Sequence, residues 1–291
     1  MNSFGSLHPI CIFTYFVTVI LLVLICQHPV MMIFACIGAL FFLWKLESEN
    51  TSGLFRMLLP MVLLIAFTNI LLSHKGITRL FVLFGQWVTL ESICYGITSG
   101  LSLTALVLWF SCYQKIMTSD KFLYLFGKAA PASALLISMA LNLVPKLQGQ
   151  LRQIQECQEM LSQETSTSFG KFKKALRHTS TLIGWSLENT VEQADSMKAR
   201  GYGIRRRTTF HLFRFESRDA RFLTFILLIS AVCIAGRICG YGTMEFYPRM
   251  DRLFGHWTDC FYALIFLALV MIPGIMEWKE ELLWRYYDLK Q

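Results

Sequence analysis

Residues 194–203 read ADSMKARGYG, and this stretch closes a long helical pattern in the middle of the chain. Arg200 falls in the last turn, where the negative end of the helix dipole favours a cation. Gly201 follows it, and glycine readily adopts the left-handed conformation that ends a helix. The stretch therefore predicts a rigid helix with a fixed cation at its tip, suited to enter a groove on a soluble partner.

The pattern that leads to this tip is amphipathic. Between about Phe172 and Arg200, apolar or small residues recur at spacings of three and four: Leu176, Thr179, Ile183, Leu187, Val191, Ala194 and Met197. The run places one apolar face on a helix that ends at Gly201. This helix is predicted to lie at the membrane face.

An earlier helix is predicted to begin at Pro131, since proline suits an opening turn. Pro145 lies inside this pattern and cannot donate a backbone hydrogen bond, so it predicts a kink or break that would serve as a hinge. Beyond it a helical period continues through Leu147, Leu151, Ile154, Cys157 or Gln158, and Leu161. The two helices together predict a surface unit that could transmit motion.

The remainder of the chain has the composition of a polytopic membrane protein. Its 291 residues are 55% hydrophobic and their mean hydropathy is +0.49. Apolar runs predict an all-α fold with about six membrane spans, at 10–26, 30–44, 54–72, 93–113, 222–238 and 261–275. The first run could instead be a signal peptide. We interpret it as a retained span, because it lacks a preceding Lys or Arg and a small-residue cleavage site.

The charges predict the orientation and the domain organisation. Residues 146–221 hold 14 Lys or Arg and 8 Asp or Glu, which gives +6 of the formal +8. We therefore predict N-terminal spans at 1–128, a cytoplasmic coupling domain at 129–221, and C-terminal spans with a tail at 222–291. Both termini are then cytoplasmic, although Lys75, Arg79, Arg249 and Arg252 fall on the outer side. The positive-inside bias and contact with anionic lipid explain the basic excess better than nucleic acid does, because no aromatic platform accompanies it. Arg205 to Arg207 could contact a soluble partner such as an ATPase, but a basic cluster just before a span more often contacts lipid phosphates.

The sequence resembles the transmembrane T component of energy-coupling factor transporters. The resemblance rests on the stretch Met197 to Gly203, the helix–Pro–helix arrangement before it, His8-Pro9, the Asn69 region and Gly76 to Leu80. The resemblance implies a bacterial inner-membrane scaffold without a cofactor. Its partners would be two cytoplasmic ATP-binding-cassette subunits and a small membrane protein, the S component, that binds a vitamin or a transition-metal ion. It also implies that two helix tips dock onto the ATPases, one of them formed here by Ala199, Arg200 and Gly201.

The first tip of the resembled family departs from its pattern in this chain. The family has Ala-Arg-Gly at that tip, whereas this sequence has Met160, Leu161 and Ser162. The cation and the glycine are both absent, and Arg152 lies more than two helical turns away. The two ATPases are therefore expected to bind unequally.

No catalytic or metal-binding motif emerges from the sequence. The six His show no zinc spacing, the nine Cys form no C-x-x-C pair, and Gly127-Lys128 lacks the earlier glycine of a phosphate loop. Asn69, Glu91 and Arg237 are polar groups in or near spans, where they either act in function or pair helices. Two alternatives remain open: a membrane-embedded enzyme, and an ordinary ABC permease with its own substrate pathway.

Overall fold

A computed structural model describes residues 4–46, 60–69, 77–83, 86–127, 130–161, 168–204, 213–242, 244, 246 and 257–288. A short 3-10 helix at Phe4–Ser6 precedes the first α-helix. The helices are α1 Pro9–Ile25, α2 Pro29–Leu46, α3 Pro60–Asn69, α4 Leu90–Ile116, α5 Ser119–Gly127, α6 Pro131–Leu161, α7 Ser168–Ala199, α8 Ser217–Ile238 and α9 Trp257–Asp288. Two antiparallel strands, β1 Arg79–Leu83 and β2 Gln86–Thr89, precede α4.

The chain forms two compact units. The first comprises Met1–Lys121 and Phe213–Gln291, and the second comprises Phe122–Leu212. The first therefore combines the apolar helices from both ends of the sequence, and the second is an insertion between them.

Four helices of the first unit, α2, α4, α8 and α9, are long and apolar enough to cross a membrane. The helices α1 and α3 are shorter apolar helices, and the part of the predicted third span outside 60–69 lies outside the described residues. A predominantly helical fold with helices that can cross a membrane is thus confirmed, with the addition of a strand pair that the sequence did not predict.

Glycines bring these helices close together. A Cβ added at Gly100 of α4 would lie 3.0 Å from the carbonyl oxygen of Val62 in α3, and Gly96 lies just as close to the carbonyl of Ala66. Gly38 of α2 lies directly against Val270 of α9. Because only glycine fits at such contacts, the close packing expected of small residues in lipid is present at α4.

Specific contacts define two ends of the first unit. At one, which we call the Glu277 end, Glu277 Oε1 accepts from the Phe4 backbone N–H at 2.9 Å and Lys45 forms an ion pair with Glu281 at 2.5 Å. At the other, the Tyr262 end, the Tyr262 hydroxyl donates to the Cys233 carbonyl at 2.8 Å. The helices α1 and α8 begin at the Glu277 end, whereas α2 and α9 run toward it.

The second unit contains the long helices α6 and α7. Lys174 of α7 forms an ion pair with Glu159 of α6, with an N–O distance of 3.6 Å. The C-terminal end of α6 therefore lies beside the N-terminal end of α7. Among the described residues of this unit, only Ile154 and His178 are buried. The unit consequently has almost no hydrophobic core of its own.

Of the predicted kink or break at Pro145, the break is absent, and the kink stays a prediction. The helix α6 runs from Pro131 to Leu161 with Pro145 in its interior. A proline removes one backbone hydrogen bond, and more than a dozen helical residues on each side maintain the helix across the missing bond. Whether Pro145 acts as a hinge stays a prediction.

Candidate functional site

The end of α7 has the geometry expected from ADSMKARGYG. Gly201 has a φ of +82°, in the left-handed region. Its N–H donates to the Lys198 carbonyl at 2.9 Å, and the Tyr202 N–H donates to the Met197 carbonyl at 3.0 Å. These two bonds form a Schellman cap, which satisfies carbonyls that a bare helix end would leave unpaired. The glycine cap is thereby confirmed.

The cap places Arg200 at the surface. Ala199 and Arg200 are both exposed, and within the described part of the chain Arg200 forms no ion pair. Tyr202 and Ile204 follow it with 55% and 80% of their surfaces exposed. The tip therefore presents a cation beside apolar groups. The basic residues Arg205 to Arg207 lie outside the described residues.

The apolar stripe of α7 is also exposed. Leu176, Ile183, Leu187 and Val191 have between 55% and 66% of their surfaces exposed. Met197, the last residue of the stripe, is half-buried, and the other more covered side chains of this helix lie on a different face, at 174, 178, 182, 185, 186 and 189. The stripe predicted from the sequence is therefore exposed from Leu176 to Ala194, where no described part of the chain covers it.

The end of α6 carries the other predicted tip. Met160 is 88% exposed, Leu161 is the last residue of the helix, and Ser162 lies outside the described residues. The covered face of α6 includes Ile154 and Gln158, whereas Cys157 is exposed. Lys174 of α7 lies beside this end of α6, because it forms the ion pair with Glu159. Ala199 lies 25 residues after Lys174, which corresponds to about 38 Å along α7. The two tips are thus widely separated.

The polar groups in the spans have partners within the chain. The Asn69 amide donates to the Ile65 carbonyl at 3.1 Å, and Arg237 Nε donates to the Ile25 carbonyl at 3.2 Å. Glu91 is buried and accepts from the Thr78 hydroxyl at 2.7 Å. These contacts favour a structural role for all three residues.

Sequence reasoning missed a polar cluster at the Glu277 end. Asp219, in the first turn of α8, accepts from the backbone N–H of Glu216 at 3.1 Å and from that of His8 at 3.3 Å. Lys121 donates to the Gly5 carbonyl at 2.7 Å, and burial lowers the pKa of its ammonium group. The cluster fixes the start of the chain against α5 and α8. The one sequence signal that could have predicted this cluster is the presence of acidic residues at the start of a helix.

The described residues hold no group of three His, Cys, Asp or Glu side chains placed to bind a metal ion. The thiols of Cys157, Cys239 and Cys260 are exposed, and none of the described cysteines forms a disulfide. The exposed surfaces of α6 and α7, with the capped end at Arg200, are thus the most distinctive candidate site in the described chain.

Comparison with known proteins gives no relative: no protein-family model matches this chain, and no curated protein is similar to it in sequence.

Proposed function

We propose that this protein is the transmembrane scaffold of an energy-coupling factor importer in a bacterial inner membrane. It would couple ATP hydrolysis by two cytoplasmic ATPase subunits to a substrate-binding S component, which takes up a vitamin or a transition-metal ion. In this proposal Ala199, Arg200 and Gly201 dock one ATPase, and the degenerate tip at Met160, Leu161 and Ser162 contacts the other.

One observation carries the proposal: the second unit exposes its apolar surface and buries almost nothing. Two helices of 31 and 32 residues with two buried residues between them cannot gain much stability from packing on each other. Exposed apolar stripes of this length mark an interaction surface in a soluble segment. The unit is therefore suited to a scaffold that is completed by other subunits.

The geometry of the tips supports the assignment to paired ATPases. Arg200 is held by a rigid cap and has no described acidic partner, so its charge is available to another protein. About 38 Å of helix separates it from the end of α6, which leaves room for two separate subunits. The loss of the cation at the second tip predicts that the two contacts differ in strength.

The membrane unit supports the proposed location. The basic residues Lys45 and Arg285 share the Glu277 end through Glu281, and Lys121 lies at the same end. The positive-inside rule places this end in the cytoplasm. The chain leaves the first unit at Lys121 and returns to it at Phe213.

The alternatives differ in what they require. A membrane-embedded enzyme would need acid–base groups free to act at membrane depth, whereas Asn69, Glu91 and Arg237 are engaged within the chain. An ordinary ABC permease would transport substrate without a separate binding protein. Purification in mild detergent distinguishes the three: two nucleotide-binding subunits and a small membrane protein should elute with this chain.

The same purification tests the tips. Arg200→Ala removes a charge-assisted contact, and the loss of such a contact at an interface costs about 2 to 5 kcal/mol. We expect this variant to lose the ATPases, and Leu161→Ala to lose less. Arg152→Ala is the matched control, since Arg152 is exposed within α6 and lies more than two helical turns from its end.

Three results would contradict the proposal. Equal loss of the ATPases from the Arg200 and Leu161 variants would remove the asymmetry. Equal loss from the Arg152 control would show that the position of the cation is irrelevant. The chain purified alone should not hydrolyse ATP, and measurable turnover would also contradict the proposed role.

A further inference from the structure

One edge of the exposed stripe of α7 is charged and the other is not. Four charged side chains lie on the same side of the stripe, about 60° to 120° around the helix from Leu176: Lys173, Arg177, Glu188 and Asp195. All four are exposed. The side chains about 60° to 100° in the other direction are uncharged: Thr179, Ser186 and Gln193. The stripe therefore has one edge, which we call the charged edge, that can select a partner by its charge.

The charged edge changes sign at the middle of the helix. Lys173 and Arg177 lie in the first half of α7, and Glu188 and Asp195 lie in the second half. Positions 173 and 195, positions 177 and 188, and the outer stripe positions 176 and 191 all have their midpoints between 182 and 184. The charged edge is therefore self-complementary, because a second α7 turned end to end presents an acid opposite each base. Such self-complementarity is the property of a two-fold interface.

We propose that α7 binds α7 of a second copy of this chain, antiparallel and around a two-fold axis near Gly184. In such a pair the charged edge of one helix faces the charged edge of the other, and charges at the edges of a helix seam determine partner choice and orientation. Arg177 lies level with position 190 of the second copy, about 3 Å along the axis from Glu188 of that copy. The arginine side chain spans this offset, and the two-fold axis forms the ion pair twice.

Arg177 and Glu188 are available for this contact. In the described part of the chain neither of them forms an ion pair. Asp195 is different, because its carboxylate pairs with Lys198 of the same helix at 3.7 Å. The contact between Arg177 and Glu188 of the second copy therefore carries most of the charge selection.

The apolar stripe also fits itself in this register. Leu187 lies level with Ser180 of the second copy, and Ile183 lies level with Gly184, so large side chains meet small ones. No heavy atom lies within 4 Å of a Cβ added at Gly184, so the space over this glycine is open. The buried His178 lies about 160° around the helix from Leu176. The covered face of α7 thus points away from the stripe and leaves it open to a second copy.

The sign change favours a second copy over other occupants of the stripe. A surface of anionic lipid would attract Lys173 and Arg177 but repel Glu188 and Asp195. An unrelated protein could match any order of charges, and it would not require the sign to change at the centre of the apolar stripe. A two-fold pair does require it, because every base of one copy must face an acid of the other.

The size of the interface predicts a weak dimer. The helix α7 has 32 residues and is about 48 Å long. A contact face about 10 Å wide buries about 480 Å² on each copy, or about 1,000 Å² in total, which is near the lower limit for a specific interface. Ala199 lies level with Ser168 of the second copy, where that helix begins, so Arg200 lies beyond the overlap. The inference is therefore independent of the ATPase contact proposed for Arg200.

Sedimentation velocity of the purified full chain in mild detergent, over a series of protein concentrations, measures the dimer. We expect a monomer–dimer equilibrium that shifts toward the monomer at high salt, because salt screens exposed ion pairs. Arg177→Glu and Glu188→Arg each make both symmetry-related pairs repulsive and should weaken dimerisation about tenfold. Ile183→Asp places two carboxylates beside the two-fold axis and should abolish the dimer.

Exchange of the two charges gives the decisive result. The double variant Arg177→Glu/Glu188→Arg should dimerise again, and so should an equimolar mixture of the two single variants, in which each acid faces a base. Positions 177 and 188 are about 17 Å apart along one helix, so they cannot pair within a chain and recovery reports contact between copies. Arg152→Glu and Glu156→Arg are the matched controls, since they make the same changes at exposed positions of α6 and should leave the dimer unchanged. Thermal unfolding verifies that each variant is folded.

Three results would overturn the proposal. The first is a chain that stays monomeric at every concentration. The second is equal dimerisation of the Arg177 and Glu188 variants and their controls, and the third is a charge exchange that does not restore what the single variants lose. If the monomeric chain instead holds another protein, or binds phosphatidylglycerol vesicles, and Ile183→Asp removes that binding, the stripe belongs to that partner and not to a second copy.

Discussion

Replacing Gly201 with alanine tests whether the cap positions the proposed docking tip. Gly201 has a φ of +82°, and a residue with a Cβ pays about 1 to 2 kcal/mol for the left-handed conformation. The strain falls on the two hydrogen bonds that close α7, from Gly201 to Lys198 and from Tyr202 to Met197. If the last turn relaxes to avoid it, Arg200 moves away from the position proposed for docking.

The expected loss follows from this strain. If the variant must restore the cap in order to bind, the free energy of ATPase binding is weakened by this 1 to 2 kcal/mol. That corresponds to a drop of about five- to thirty-fold in ATPase affinity. The measurement is titration of the purified protein with the ATPase subunits of the proposed importer. Arg200 itself is unchanged in this variant, so a loss of affinity reports the geometry of the tip rather than its charge.

Gly184→Ala provides a control of the same chemical size on the same helix. Gly184 lies inside α7 with no heavy atom within 4 Å of an added Cβ. Alanine should stabilise the helix there by about 0.5 to 1 kcal/mol and leave ATPase affinity unchanged. Equal affinity of the Gly201 and Gly184 variants would refute the reasoning, because the cap would then have no part in docking.

Three further changes test the rest of the molecule. Gly100→Leu should lower the free energy of unfolding in detergent by about 1 to 3 kcal/mol, since its side chain would collide with the Val62 carbonyl, whereas Gly149→Ala in open space should not. A thermal unfolding series with both variants decides this. Pro145→Ala restores a backbone donor and should preserve assembly while reducing ATP-driven uptake; full uptake would show that Pro145 has only a structural role. Asp219→Ala leaves two backbone N–H groups without their acceptor and should cost about 1 to 3 kcal/mol for each, measurable as a lower midpoint of unfolding, unless other groups replace the carboxylate.

The sequence predicted the apolar helices well, because long apolar runs report burial in lipid directly. The predicted span 222–238 and the helix Ser217–Ile238 end at the same residue. The last helix is longer than predicted, since α9 continues to Asp288 beyond the apolar run that ends at 275. Ion pairs such as Arg285–Glu281 support its polar turns, and hydropathy does not detect that contribution.

Other features depend on partners that are distant in the sequence. The strand pair at 79–89 lies in an apolar run that strand and helix patterns share, so periodicity did not identify it. Asp219 and His8 are separated by 211 positions, and no local pattern connects them. The end of α7 was predictable for the opposite reason, because all groups of its cap lie between Met197 and Tyr202.

The hydrogen bond between Phe4 and Glu277 has a consequence for the synthesis of the chain. The two residues are 273 positions apart, and a ribosome that adds about 5 to 20 residues per second needs about 14 to 55 s to cover that interval. The ring of Phe4, which is completely buried against Tyr15, Phe16, Phe42 and Phe222, therefore cannot reach its final anchored position until the last helix has been made. A nascent chain that stops before α9 would leave this first segment without its anchor, and a quality-control protease could recognise the exposed start as the mark of an unfinished protein.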